Sequence, residues 1–331
     1  MKTFAYDVAT DVDDAVSRLV SDPHSALLGG GTNLIDLMKL GAAHPSSLID
    51  VTRLPLGDIK ILEDGSLHIG AAVTNSDLAV HPVVRSRYPV LSRAVLSGAS
   101  GQLRNMATTG GNLFQRTRCV YFMDPSKPCN KRDPGSGCPA IEGDHRNLAI
   151  FGASERCVAT HPSDMAVALM ALDAVVDITG PRGPHRMPIG ELYRLPGQKP
   201  ELDTNIGHDE IVTGIEIPAL LEGTVSTYRK VRDRASYAFA LASVAAVLHV
   251  DDGQVIDARI ALGGVAHTPW RAITAEGELL GRSANHEAFR DAIDLELGGA
   301  HPLRDNGFKI PLVRNLVTET MTELAGRSVP E

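Results

Sequence analysis

Three consecutive glycines, Gly29, Gly30 and Gly31, follow the apolar run Ala26, Leu27 and Leu28 and precede Thr32, Asn33 and Leu34 in "ALLGGGTNL". Three adjacent glycines weaken any helix or strand, because each has the most backbone freedom to lose. The chain must turn there, and something must require bare backbone. "HSALLGGG" reads as a short strand entering the turn, and "TNLIDLMKLG" as a helix. Thr32 or Asn33 is placed to cap that helix, Leu34, Leu37 and Met38 form one face, and Gly41 ends it. A glycine turn between a strand and a helix N-terminus offers free N–H groups and the positive end of the helix dipole, which suits a phosphate. Two nucleotide fingerprints fail here. G-x-G-x-x-G would need glycine at Leu34, and a P-loop would need lysine well before Lys39. A tight turn without a ligand remains the alternative.

A second stretch, "NMATTGGNLFQ", repeats the theme with Thr108, Thr109, Gly110, Gly111 and Asn112. Two such loops could grip the two phosphates of one long ligand from opposite sides. In "HPSDMA", Asp164 could accept hydrogen bonds from a ligand's hydroxyls or cap the following helix.

The rest of the chain reads as mixed structure. "SSLIDVTRL", "SLHIGAAVT" and "EIVTGIEIP" are strands by alternation and β-branching, with Pro218 closing the last. "NSDLAVHPVV" and "PVLSRAVLSGAS" read as helices, and "SDMAVALMALDAVVDITG" as a helix running into a strand. "LLEGT" reads as a boundary, which predicts two domains, 1–222 and 223–331. Beyond it, "SYAFALASVAAVLHV" and "VIDARIALGGVA" are strands joined at "DDG", a hairpin signal. "WRAITAEGELLGR" and "PLVRNLVTETMTELAG" read as helices. The pattern is α+β, not a regular doubly wound sheet.

Four cysteines, Cys119, Cys129, Cys138 and Cys157, crowd into a turn-rich segment of about 116–160. They are separated by nine, eight and eighteen residues, which is neither a paired C-x-x-C zinc pattern nor a ferredoxin run. The first residues carry acids where a secretion signal needs an apolar stretch, so disulfides are not expected. Grouped thiols in so polar a loop point to a metal centre. An iron–sulfur cluster, structural zinc and four buried free thiols all stay open on the residues alone. A cluster with four thiolates carries a charge of about -2. Arg116, Arg118, Lys127, Lys131 and Arg132 could offset it, while the glycines and prolines near Gly135 and Pro134 let the backbone wrap closely.

Function classes fall away as well. The net charge of -8 argues against nucleic acid, and no run of 18 apolar residues predicts a transmembrane helix. No H-E-x-x-H and no G-x-S-x-G occurs, so the histidines read as surface or core residues and Trp270 as packing. "RKVRDR" reads as a solvated charge run.

"GGGTNL", "LRNMATTGGNL" and "HPSDMAVAL", with "ARIALGGVAHTPWRAITAEGELLG" and "NGFKI" later, resemble in order the FAD-binding subunits of the xanthine dehydrogenase and molybdenum hydroxylase family. The resemblance covers nearly the whole chain. It implies a two-part FAD-binding domain of the vanillyl-alcohol-oxidase-like (PCMH) type at 1–222 and a C-terminal α+β domain with a small antiparallel sheet. It further implies that Ala26–Leu34 and Thr108–Asn112 hold the FAD pyrophosphate and ribityl chain, that Asp164 meets the flavin end, and that Lys230 reaches the cofactor. Tyr237 departs from the pattern, since many members carry an acidic residue there. The cysteine segment is similar to the insert of the aldehyde-oxidoreductase branch and, more distantly, of the hydroxybenzoyl-CoA reductase branch. That implies a [4Fe–4S] cluster on Cys119, Cys129, Cys138 and Cys157, expected to brace the insert rather than carry electrons. The implied activity is electron transfer within a heterotrimer. A molybdenum-cofactor large subunit oxidises an aldehyde to a carboxylic acid, a small subunit passes electrons through [2Fe–2S] centres, and FAD on this chain hands them to an external acceptor. No side chain here is then a catalytic acid or base. The expected compartment is the cytoplasm, or the periplasm if a partner with a twin-arginine signal carries the complex across. An FAD subunit of a related molybdenum hydroxylase of the hydroxybenzoyl-CoA reductase or xanthine dehydrogenase type, a stand-alone flavin reductase, or a non-redox module with zinc would be the rival readings.

Overall fold

The computed structural model describes residues 1–328 and organises them around three sheets. The first is small and parallel. Ala5–Val8 and Ala26–Leu28 both pair with the central strand Ser47–Asp50. The helix Val12–Ser21 covers it, burying Ala15, Val16 and Leu19, with Asp11 accepting from the Asp14 N–H as its cap. The second sheet is antiparallel, in the order Ile59–Ile61, Leu67–Gly70, Ile211–Ile217, Val175–Gly180, Gly183–Pro188. Its core face packs against the helices Asn75–Val80, Pro89–Ser97 and Asp164–Ala171, and every residue of the last is buried. That burial explains why "DMAVALMA" is apolar all round rather than striped.

The third sheet is a four-stranded antiparallel meander, Val225–Val231, Ala242–Asp251, Gln254–Gly263 and Trp270–Arg271. Its middle hairpin turns on Asp252 and Gly253, both with positive φ (46° and 73°), as a two-residue turn of the primed type requires. One face carries the helices Ile273–Leu279, His286–Leu297 and Lys309–Ser328 around a second core. The other face meets the first antiparallel unit, since Tyr228, Ala245, Val247 and Ala261 belong to the core of that unit.

The α+β expectation holds, and the differences are local. The strand expected from "SYAFALASVAAVLHV" begins only at Ala242, and residues 232–241 run as an irregular loop. "NSDLAVHPVV" is two helices, because Pro82 cannot continue the first and starts the second instead. The helix His286–Leu297 was not anticipated. Its apolar positions are sparse between acids, and Asn285 supplies its cap. Gly41 ends its helix at φ 78° as expected. Asn33 occupies the cap position of that helix without capping it, because its Oδ1 accepts the Arg116 N–H at 2.8 Å. The charge run around Lys230 is not a solvated face: Arg229 pairs with Glu323, Lys230 with Asp164, and Arg232 reaches the Ser97 carbonyl at 2.8 Å.

The cysteine segment is stitched to the third sheet at its far end. Ile150 and Phe151 enter the second core, and Trp270 stacks on Phe151 with ring centroids 4.7 Å apart. Asn306 Nδ2 donates to the Leu148 and Ala149 carbonyls, and the wholly buried Lys309 donates to the Leu148 and Gly264 carbonyls at 2.9 and 2.6 Å. Burial lowers the Lys309 ammonium to about 7. Between that value and the free-lysine value of roughly 10.4 the unfolded chain holds a proton that the folded chain does not. Stability should therefore rise with pH across that window and level off above it. The slope should vanish in Lys309→Met, which thermal melts of both proteins at pH 7 to 10 would check; parallel curves would contradict it.

Candidate functional site

One large cavity of about 940 Å³ opens where the first sheet, the helices packed on the second sheet and the edge of the third sheet meet. Its size suits a cofactor-scale ligand. Both glycine stretches line it. From the first come Ala26, Leu27, Leu28, Gly29, Gly30, Gly31, Thr32, Asn33 and Leu34, and from the second Thr108, Gly110, Gly111 and Asn112. Asp164, Lys230 and Tyr237 line it too. Thr109 does not. It is fully buried, and its hydroxyl and N–H both donate to the Val73 carbonyl, at 3.0 and 2.8 Å.

The triple glycine owes its bareness first to the neighbouring loop. A Cβ on Gly30 would stand 1.8 Å from the Met106 carbonyl oxygen, and one on Gly29 would stand 2.8 Å from the Thr108 hydroxyl. Gly111 meets the same hydroxyl at 2.9 Å, and Gly110 would crowd Ala71 at 3.0 Å. The two loops thus touch along bare backbone, and one wall of the cavity exists because they do. Thr108 caps the short helix Thr109–Leu113 by accepting the Gly111 N–H at 3.2 Å.

Asp164 is not the cap of its helix. Ser163 takes that role, accepting the Ala166 N–H at 3.0 Å. The Asp164 carboxylate instead accepts from the Tyr228 hydroxyl and from Lys230 Nζ at 2.7 Å, and the Lys230 side chain is 3% exposed. Lys230 also donates to the Ser97 carbonyl at 3.2 Å. This buried ion pair sits at one end of the cavity. Beside it, residues Arg234, Tyr237, Ala238 and Phe239 of the irregular loop line the cavity. Tyr237 has φ 53°, and the Arg234 guanidinium lies over its ring. Arg118 stacks on Phe239 at 5.1 Å.

Two donors are left over. Asn33 Nδ2 and Arg118 Nε are buried with no protein partner, on residues that line the cavity. Unpaired buried donors are costly, and an anionic ligand with hydroxyls and phosphates would satisfy them. The histidines are not all bystanders. His161 and His267 line the cavity, and burial drives His161 down to about 3, so it is neutral. Sequence reasoning missed Asp203, which lies there beside Arg116. Nothing in "PELDTN" marks it, because its role depends on cations distant in the chain.

The four cysteines come together behind this cavity. All are free thiols and all line one small apolar-walled space with Phe122, Pro128, Pro139 and Ala140. Backbone N–H groups point at sulfur: Phe122 and Tyr121 at Cys119, Ala140 and Ile141 at Cys138, and Ala159 at Cys157. Burial raises the Cys119 and Cys138 thiols and pushes Cys157 up to about 12. Such thiols ionise only when a cation takes the place of the proton. No three donors among the described residues converge as ligands of a single metal ion do. Of the five basic residues expected to offset a cluster's charge, only Lys131 lines this space. Arg132 instead ties the Tyr121, Phe122 and Lys127 carbonyls, Lys127 is exposed, and Arg116 and Arg118 face the large cavity.

Comparisons with known proteins agree along the chain. Residues 2–220 match the family described as FAD binding domain in molybdopterin dehydrogenase, and residues 226–324 match the CO dehydrogenase flavoprotein C-terminal domain. The chain is 48% identical, over 98% of its length and 98% of the relative's, to the aldehyde oxidoreductase FAD-binding subunit PaoB of Escherichia coli K12. It is 27% identical to the glyceraldehyde dehydrogenase medium chain of Sulfolobus acidocaldarius, over 97% and 98% of the two chains. Among solved structures, a carbon monoxide dehydrogenase from Hydrogenophaga pseudoflava, lacking the Mo-pyranopterin moiety of its cofactor, superposes with a TM-score of 0.78 at 27% identity, covering 99% of each chain.

The loop contact makes a sharp prediction. Gly30→Ala should lower stability by about 1–3 kcal/mol and leave the purified protein with less than a tenth of its flavin. Gly101→Ala, where a Cβ meets open space, should change neither. Flavin content by absorbance and a denaturant titration decide it, and full flavin in Gly30→Ala would contradict the geometry.

Proposed function

We propose a function from one premise: the chain belongs to the FAD-binding subunits of the molybdenum hydroxylases, and so is an oxidoreductase subunit that binds FAD. Its specific task is electron transfer in an aldehyde-oxidising complex. Electrons from aldehyde oxidation at a molybdenum subunit pass through a [2Fe–2S] subunit to the flavin here, and on to an external acceptor. The observation that carries this reading is the cavity. Two glycine loops, two unpaired donors and a buried Asp164–Lys230 pair converge on one space large enough for FAD. Residues 1–222 supply the glycine loops and Asp164, and 223–331 supply Lys230 and the loop at Tyr237.

FAD supplies a two-electron acceptor that can release electrons to an outside partner. The protein's part is to bind, orient and shield it. The backbone of Gly29–Gly31, with Asn33 Nδ2 and Arg118 Nε, is placed for the phosphates and ribityl hydroxyls, while Gly110 and Gly111 give the ligand a wall without side chains. Asp164 and Lys230 hold each other in fixed orientation, so the pair presents a preorganised dipole rather than a mobile charge. Tyr237 and Phe239 stand at the mouth, where an acceptor must approach. No residue needs to act as acid or base on an aldehyde.

We assign a [4Fe–4S] cluster to Cys119, Cys129, Cys138 and Cys157. The support is four free thiols around one apolar-walled space, with backbone N–H groups aimed at sulfur. Its role in this reading is to brace the insert. No helix among the described residues is long and apolar enough to cross a membrane. The proposed compartment is the cytoplasm, or the periplasm if a partner carries the complex.

Purified protein should show a flavin spectrum over a broad cluster band, with about four irons per chain. It should copurify with a large molybdenum subunit and a small iron–sulfur subunit, and by itself oxidise no aldehyde. Cys129→Ser should lose the iron while the intact complex still reduces its flavin with aldehyde at a normal rate. A stopped-flow rate a hundredfold lower, about 2.7 kcal/mol of barrier, would place the cluster on the electron path instead. Flavin without iron would remove the cluster from the proposal.

A further inference from the structure

The cysteine space and the FAD cavity share a wall, and one ionic unit runs through it. Lys131 lines the cysteine space and not the FAD cavity, while Arg116, Asp203 and His267 line the FAD cavity and not the cysteine space. The Lys131 side chain is 1% exposed, and its ammonium spends its three donors on the Pro200 carbonyl at 2.6 Å, His267 Nε2 at 2.9 Å and Asp203 Oδ1. The second oxygen of Asp203 accepts from Arg116 Nε at 2.7 Å. Since His267 Nε2 accepts from an ammonium, its proton sits on Nδ1, which faces the Ala159 carbonyl at 3.2 Å. The Ala159 N–H in turn reaches the sulfur of Cys157. Burial alone would raise the Asp203 carboxyl. The charges of Arg116 and Lys131, both hydrogen-bonded to the carboxylate, override it and hold the group well below the usual carboxylate range.

We propose that Asp203 is a positioning residue that couples the cysteine pocket to the FAD cavity, holding Lys131 in the wall of one and Arg116 in the wall of the other. A single carboxylate serves both cations. It cannot follow one without loosening the other, and no other carboxylate pairs with Lys131 or Arg116 among the described residues. Arg116 carries the effect to the glycine loops, because its backbone N–H is held by Asn33 Oδ1 at 2.8 Å. Occupancy of either site therefore stabilises the wall of the other, and linkage makes the effect reciprocal.

The test uses the full chain and reads both ends. Lys131→Met, a change outside the FAD cavity, should weaken FAD binding at least tenfold in a flavin-fluorescence titration of the stripped protein. Asp203→Asn should do so too, and the double variant should be less than threefold worse than the poorer single, because the losses share one route. Asp203→Glu, which keeps the charge, should bind within threefold of native. From the other end, Arg116→Gln leaves the Asp203–Lys131 pair intact. It should still speed the loss of iron to a chelator at least fivefold, and this arm decides the matter if Lys131→Met does not fold. A folded Lys131→Met with native FAD affinity, losses that multiply in the double variant, or native iron retention in Arg116→Gln would overturn the coupling. A native protein with flavin but no iron would overturn the cluster assignment above, while the FAD titrations would still decide this one.

Discussion

The contact on which the site depends is backbone on backbone. The strand-turn Ala26–Gly31 lies against the segment Met106–Gly111, and at Gly30 no side chain atom fits between them. Much else follows from that contact. It leaves the bare backbone of two loops lining one space, and it sets the small parallel sheet against the helices of the second sheet. It also fixes where Asn33 and Arg116 meet. A glycine is expensive in backbone entropy. Gly29 and Gly30 persist because a Cβ in the contact would part the loops and open the cavity, and Gly31 because the turn holds it at φ 70°.

Around that contact the polar groups fall into two sets. Asp164, Lys230 and Tyr228 form a buried unit at one end of the cavity, with Lys230 also held by the Ser97 carbonyl. Asp203, Lys131, Arg116 and His267 form a second unit in the wall toward the cysteines. Buried charges of this kind add little net stability against an apolar alternative, but removing one partner strands the other at about 3–5 kcal/mol. Their value is therefore positional. They hold side chains at fixed places in a cavity wall where an apolar core would allow drift.

The cysteine segment is anchored from both sides. Its beginning is tied to the FAD cavity through Thr117, which lines both spaces, and its end enters the core of the third sheet through Ile150, Phe151 and the Lys309 and Asn306 hydrogen bonds. An insert with almost no regular structure gains its order from such ties, from whatever its thiols hold, and from a small cluster of its own around Ala140, Leu148 and Val158.

What the sequence determined by itself was everything carried by local pattern. Gly29–Gly31 required a turn, Asp252–Gly253 a tight hairpin, Gly41 a helix end, and alternation along Ile211–Ile217 a strand. Each is a constraint on φ and ψ or on one face, and neighbours in the chain suffice to impose it. The ordered loops and the grouped cysteines also pointed to their shared chemistry. Tertiary structure decided the rest, because it depends on partners far apart in sequence. It made Ser163 and not Asp164 the cap, turned Thr109 inward to Val73, and drew Asn33 away from its helix to Arg116. It also took Lys131 from a loop of charges and buried it against Asp203, 72 residues on. No local pattern marks such a pair, since a lone buried charge is tolerable only where a distant opposite charge already waits.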